Sequence, residues 1–365
     1  MPILISSDFP PLRGGIQRYM AKVAELLSSA AKTVVVVTGA ADGDRAYDRL
    51  QDFKVVRYGG RARLWSFLAM VIASLRATAY VPRTYTLASI WFPSGLAAAI
   101  IPRRMRGPLG VFVHGAEVAP GRGGLRRSLM LFVFARADVL FVDSRFSASL
   151  ARRAGFKGGN MVVVPCGSEA REVIRNPSPI PTVLSVGRLV ARKGFDRLIE
   201  ALPLIRLDFP TVQCEIVGSG PQGSSLRTLA ESLDVSDCVH FLGEIDDREL
   251  DAAYGRAWCF AMPVRSVGDD VEGFGIVYLE AAVAGLPAIG GCDSGATDAI
   301  VDGETGILVD GNDRTAIANA VCSLLASPER TAAMGERARQ RALTDYTWQR
   351  TVSTIDALMT QSIKP

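Results

Sequence analysis

No CxxC pair occurs anywhere in the 365 residues, and the six cysteines at 166, 214, 238, 259, 292 and 322 stand singly. That spacing excludes a disulfide framework and the usual zinc sites, and predicts buried thiols in a reducing compartment. Histidine is almost missing, with His114 and His240 the only two. Long hydrophobic runs are missing as well. The longest, Leu64 to Leu75, contains Ser66 and Ser74 and falls short of the roughly 20 residues that a membrane-crossing helix needs. The opening MPILISSDFPPLRGG lacks the basic start and long apolar core of an export signal, so a cytoplasmic protein is expected. Low-complexity tracts and solenoid repeats are also absent.

What remains is globular in composition, 48% hydrophobic and 21% charged. The length exceeds what one hydrophobic core usually supports, so two domains are expected. The net charge of +4 hides an asymmetry: 23 Lys and Arg face 10 Asp and Glu up to residue 170, and 18 face 27 thereafter. Two readings of the basic half stand side by side. One is an anionic partner such as a membrane surface or a phosphorylated substrate; the other is an ordinary solvated face.

Short apolar runs alternate with helical patterns, which predicts parallel sheets covered on both faces. Strands are expected at 3–6, 33–38, 53–57, 88–91, 109–114, 139–143 and 161–165, with helices near 16–29, 65–78, 125–135 and 144–154. The polar segment Glu169–Pro181 holds Pro177, Pro179 and Pro181 and reads as a linker. A second series follows, with strands at 182–186, 213–217, 239–242, 259–262, 287–290 and 306–309. Its helices fit 194–207, 224–233, 246–255, 276–284, 314–326 and 328–345. The fold class is therefore α/β: two doubly wound, Rossmann-like domains, 1–168 and 182–345, expected to face each other across a cleft.

Gly14-Gly15 follows a strand and opens a helix, but the G-x-G-x-x-G spacing is absent and no acid ends the second strand. A nicotinamide enzyme is thereby disfavoured. Glycine there lets a backbone approach a ligand at a helix start; a plain tight turn is the alternative. In the second half, SVGRLVARKGF places Arg188 just past a strand and Lys193 at a helix entrance. Two cations beside helix-start amides suit a diphosphate, although alone such residues are usually just solvated. IVGSGP, from Ile216 to Pro221, repeats the geometry after the next strand, where a simple loop is the alternative.

The segment DDVEGFGIVYLEAAVAGLP, Asp269 to Pro287, carries most. A helix starting near Ile276 leaves Glu272 in the loop before it and Glu280 inside it, so the two carboxylates can bracket one extended ligand with the amides of Phe274, Gly275 and Ile276 between them. The helix stops at Gly285-Leu286-Pro287, an ordinary C-terminal signal. Asp42-Gly-Asp44 fits an Asp-x-Asp pattern but lies in an early surface loop, so no metal is implied.

E-x7-E with GFG inside it, preceded by VGRL-x3-KG and followed by TGILV, resembles the family-4 retaining glycosyltransferases of GT-B fold. DFPPLRGGIQRY near the start and HGAEV at 114–118 match their acceptor-side domain. YTWQRTVSTIDALM resembles their closing helix, which would assign 346–365 to the first domain. The details DFPP-x-RGGIQ and DDVEG-x-GIV-x-LEA look most like bacterial mannosyltransferases acting on phosphatidylinositol mannosides. HGAEV departs from those enzymes, which more often carry a second histidine in that motif.

The resemblance implies an enzyme, a hexosyltransferase taking a nucleotide-diphosphate sugar, with GDP-mannose first and UDP-sugars as the alternative. It needs no cofactor or metal, and its acceptor is a glycan or a lipid-linked sugar. Arg188 and Lys193 would hold the diphosphate, Glu280 the ribose hydroxyls and Glu272 the sugar hydroxyls. The base would lie beside Phe241 and Leu242, with Gly15 and Gly218 among the donor contacts and His114 near the anomeric centre. His240 is expected on a buried strand, in the core or near the base. Arg61, Arg63 and Arg76 around Trp65 and Phe67, with Arg103, Arg104, Arg106, Arg122, Arg126 and Arg127, suit peripheral docking on the inner face of an anionic membrane; a core helix at 65–75 is the alternative. A glycoside hydrolase would also use two carboxylates but gives the two cations no purpose. A non-catalytic sugar-binding protein is typically exported.

Overall fold

The structure, a computed structural model, describes residues 1–12, 14–30, 32–59, 63–79, 85–118 and 124–363, without the side chains of residues 63 and 64. Arg61 and Arg122 and the side chain of Arg63 lie outside the described residues. The chain divides into two compact units, Met1–Gly167 with Trp348–Pro365, and Ser168–Thr347.

Among its described residues the first unit has seven strands: β1 Pro2–Ile5, β2 Val35–Gly39, β3 Lys54–Tyr58, β4 Tyr85–Ala88, β5 Leu109–Val113, β6 Val139–Val142 and β7 Met161–Val163. They run parallel in the order β3-β2-β1-β4-β5-β6-β7. The central strands β1, β4 and β5 are buried along their whole length, as in a parallel sheet covered on both faces. The fourth strand departs from the expectation of 88–91. It starts at Tyr85, pairs Tyr85–Ala88 with Pro2–Ile5, and ends at Ala88, before the helical turn that Trp91 opens. The Tyr-Thr-Leu-Ala run is only four residues long, and its buried threonine is satisfied locally: the Thr86 hydroxyl donates to the Arg106 carbonyl at 2.7 Å.

The helix Trp348–Gln361 belongs to this unit. Trp348 meets Tyr19 edge-on, Thr351 Oγ1 donates to the Pro165 carbonyl, and Asp356 accepts from Tyr85 while pairing with Lys32. The helix Arg63–Ala79 is not wholly core. Met70 and Ala73 are buried, whereas Trp65, Leu68 and Ile72 are exposed at 68%, 41% and 49%, on one side of the helix at spacings of three and four. Among the described residues no helix is long and apolar enough to cross a membrane.

The second unit has six strands: β8 Thr182–Val186, β9 Gln213–Val217, β10 Val239–Gly243, β11 Cys259–Met262, β12 Ala288–Gly291 and β13 Gly306–Val309. They are parallel in the order β10-β9-β8-β11-β12-β13. One core joins the sheet to the helices Phe195–Asp208 and Arg314–Leu325 through Phe195, Ile199, Ile205, Ile317 and Val321. Residues 169–181 form no regular element but lie on this unit. Arg175 donates to the carbonyls of Tyr254, Gly255 and Ala257, and Asn176 and Ser178 pair with Gly255 and Arg256.

Two expectations about single residues are corrected. His240 is exposed, because β10 is the edge strand of its sheet. Cys292 is exposed and Cys166 and Cys322 half-buried, leaving only Cys214, Cys238 and Cys259 in the core.

Candidate active site

In a parallel sheet, strand order reverses at one point, and the loops on either side of it diverge to leave a crevice at the carboxyl ends of the strands. In the second unit that point lies between β8 and β11. The loop after β8 carries Arg188 and Lys193, and the loop after β11 carries Glu272.

The β8 and β9 loops interlock. Leu189 N donates to the Ser219 carbonyl at 2.9 Å and Gln222 N to the Leu189 carbonyl at 3.1 Å. Gly218 makes this possible: its φ is +124°, and a Cβ there would stand 2.1 Å from the Gly187 carbonyl oxygen. Arg188 thus projects from a fixed turn. It is exposed, and among the described residues its guanidinium has no ion-pair or hydrogen-bond partner.

Lys193 is buried by contrast, and its Nζ lies 2.9 Å from Glu272 Oε2. A second cation reaches the same oxygen: Arg192 Nε donates to Glu272 Oε2 at 3.1 Å, while Arg192 Nη1 donates to both oxygens of Asp270 at 3.2 Å. The Lys193 and Glu272 side chains are only 10% and 12% exposed. Burial pushes the Glu272 carboxyl up, but Lys193 and then Arg192 outweigh it and hold it below the ordinary carboxylate range. Among the described residues nothing donates a hydrogen bond to Glu272 Oε1.

The loop then turns into the helix Ile276–Val283. Gly275, at φ +84°, sits so close to the Tyr278 ring that a Cβ would stand 2.7 Å from it. Among the described residues the amides of Phe274, Gly275 and Ile276 donate to no protein acceptor, as is usual for the first turn of a helix. Phe274 itself is buried, its ring against Tyr346. One turn further in, the half-buried Glu280 accepts from the Tyr254 hydroxyl at 3.3 Å, and the positive charge of Arg171 acts on it. The two glutamates thus differ: one is neutralised by two cations, the other steered by a phenol.

Phe241 and Leu242 are half-buried near the end of β10. The Arg227 guanidinium lies 4.4 Å over the Phe241 ring, and Ser219 donates to Glu244 beside them.

In the first unit, Gly15 opens the helix Gly15–Ser29, and among the described residues a Cβ there would meet no atom within 4 Å beyond its chain neighbours and its own helix backbone. His114 stands at the end of β5, stacked on Phe112 and edge-on to Tyr19. Its Nε2 lies 3.0 Å from the Ser89 carbonyl, which can only accept, so Nε2 carries the proton. Its Nδ1 faces Asp143 at 3.7 Å, and its own amide donates to Glu117. Burial pulls the imidazole down, but Asp143 and Glu117 outweigh it and raise its proton affinity above the usual.

The second unit therefore brings Lys193 and Glu272 together, sets Arg188 and Gly218 in interlocked turns, and leaves the amides of 274–276 without a protein acceptor among the described residues. Sequence reasoning missed Arg192, Tyr254 and Asp143. Arg192 had a signal, since it is the other half of the Arg-Lys pair before Gly194.

Two family models cover most of the chain: "Glycosyl transferase 4-like domain" over residues 14–167 and "Glycosyl transferases group 1" over 168–341. A GDP-mannose-dependent alpha-(1-6)-phosphatidylinositol monomannoside mannosyltransferase of Mycolicibacterium smegmatis is 34% identical, with 95% of each chain covered. A GDP-mannose-dependent monoacylated alpha-(1-6)-phosphatidylinositol monomannoside mannosyltransferase of Corynebacterium glutamicum is 31% identical over 95% of this chain and 94% of its own. Among solved structures, Anabaena Alr3699/HepE with UDP and glucose matches at TM-score 0.82 and 19% identity, covering 99% of this chain and all of that one. Sucrose-phosphate synthase from Thermosynechococcus elongatus matches at 0.81 and 24%, covering 99% and 98%. These two share the fold. With both units matched and relatives above 30% identity along nearly the whole chain, the protein belongs to the glycosyl transferases group 1 family and is a glycosyltransferase of GT-B fold.

Proposed function

We propose that the chain transfers mannose from GDP-mannose to a mannosylated or lipid-linked acceptor, with retention at the anomeric carbon and without a metal. The observation that carries this reading is the meeting of Lys193 and Glu272 at the β8–β11 switch point, flanked by Arg188 and by the amides of 274–276, which among the described residues have no protein acceptor. Arg188 and Lys193 would neutralise the diphosphate as the glycosidic bond breaks, the work that a metal does elsewhere. Glu272 would accept from sugar hydroxyls through Oε1, and Glu280, held by Tyr254, would accept from the ribose hydroxyls. Arg192 and Lys193 hold Glu272, and the charge of Arg171 acts on Glu280, which supports a same-face displacement in which the leaving phosphate takes the acceptor proton.

The printed activities of the two mannosyltransferase relatives support mannose and GDP, and a phosphatidylinositol mannoside-like acceptor. In the first unit, Gly15 with its open helix start and the rigidly held His114 are assigned to the same reaction. Exposed Trp65, Leu68 and Ile72 with Arg76 support peripheral contact with an anionic membrane, which flotation with and without anionic lipid would test. Thermal shift with GDP, UDP and their mannose and glucose conjugates, then mass spectrometry of the product, tests the donor. Stabilisation by UDP-sugars but not by GDP-mannose would overturn it.

A further inference from the structure

We propose that Arg192 is a positioning residue for donor-sugar selection, turning Glu272 so that its Oε1 is presented to the sugar. The proposal rests on the reading of Glu272 as the sugar-binding carboxylate.

The geometry is specific to this side chain. The Arg192 carbonyl accepts from Arg265 N at 2.9 Å, at the base of the loop that follows β11. Arg265 is itself buried and doubly bonded to Asp196, at 2.8 and 2.6 Å, so that base is fixed. Val267 and Asp270 close a tight hairpin by exchanging two backbone hydrogen bonds of 3.0 Å. The Arg192 side chain spans from there to the site, with Nη1 on Asp270 at the hairpin and Nε on Glu272 beyond it. Glu272 is tied from behind as well, its carbonyl accepting from Gly295 N at 3.0 Å.

A planar guanidinium fixes direction where an ammonium acts as a point charge. Lys193 alone would neutralise Glu272 but leave the carboxylate free to rotate about its last bond. Arg192 pins Oε2, and rotation is lost. Oε1 then has one orientation, which is what telling an axial from an equatorial sugar hydroxyl requires.

The test compares Arg192→Gln, Arg192→Lys and Glu272→Gln by steady-state kinetics with GDP-mannose and GDP-glucose, and by titration calorimetry with GDP alone. Arg192→Gln is expected to lower kcat/KM for GDP-mannose about tenfold or more. The preference for one sugar over the other should shrink by a similar factor, and GDP affinity should stay within about twofold. Arg192→Lys should recover rate more than selectivity. If Arg192→Gln keeps both rate and selectivity while Glu272→Gln is impaired, the proposal is overturned and the reading of Glu272 survives. If Glu272→Gln is unimpaired, both fall. A parallel loss of GDP affinity in Arg192→Gln also overturns it, since Arg192 would then serve the phosphates. Should Arg192→Gln not fold, Asp270→Asn cuts the same linkage at its exposed end; a selectivity loss with GDP binding kept supports the proposal, and unchanged selectivity overturns it.

Discussion

Lys193 and Glu272 meet at 2.9 Å although they come from loops that follow different strands, β8 and β11. That contact sets the electrostatics of the site. Lys193 is already neutralised by Glu272 and Arg192 is shared between Glu272 and Asp270, whereas the Arg188 side chain has no partner among the described residues. On the proposed reading, a diphosphate held by Arg188 would compete with Glu272 for Lys193.

Replacing Lys193 with Met should therefore destabilise the protein at neutral pH by about 1–3 kcal/mol, because a nearly buried carboxylate keeps only one of its two cations. The sign with pH follows from the lowered proton affinity of Glu272. Its charge contributes stability above the carboxylate's unfolded-state range, about 4.3, and that contribution is lost as pH falls through the lower folded value. Urea unfolding of the two proteins should converge in acid and separate towards neutrality. A constant gap across that range would contradict the assignment.

Asp143→Asn should lower the proton affinity of His114, since the carboxylate at 3.7 Å from Nδ1 is part of what raises it. A raised value means stability that is complete below the unfolded histidine range, about 6.5, and lost as pH rises through the folded value. The variant should thus be less stable than the parent in mild acid and match it in alkali. With only two histidines in the chain, imidazole proton NMR with a His240→Gln control reads the shift directly.

Much of the second unit was legible because its strands are buried parallel runs: β8, β9, β11 and β13 stand where the apolar pattern puts them. The Tyr85–Ala88 strand was not, because four residues are too short a run to fix its bounds and only pairing with Pro2–Ile5 defines it. For the site, Arg188, Lys193 and the glutamates were legible as spaced motifs. Arg192 was masked by its neighbour, since an Arg-Lys pair in a loop looks solvated until Asp270 is seen to fold back onto it. Tyr254 and Asp143 come from other elements, so no local pattern ties them to Glu280 or His114.

Gly218→Ala should damage both stability and donor binding. The residue holds φ +124° with its missing side chain 2.1 Å from the Gly187 carbonyl, so alanine forces the β8 and β9 turns apart. A loss of roughly 1–3 kcal/mol is expected, with weaker GDP binding as Arg188 shifts. Thermal unfolding and calorimetry check both; an unchanged midpoint would show that the two turns are not interlocked as described.

The central claim is a division of labour between Glu272 and Glu280, and calorimetric titration of bare GDP into Glu280→Gln and Glu272→Gln tests it most directly. The account predicts at least about tenfold weaker GDP binding for Glu280→Gln, which loses charged hydrogen bonds to the ribose. Glu272→Gln should bind GDP as well as the parent or better, since Lys193 is released, while its turnover of GDP-mannose collapses. Equal weakening of GDP binding in both variants would contradict it.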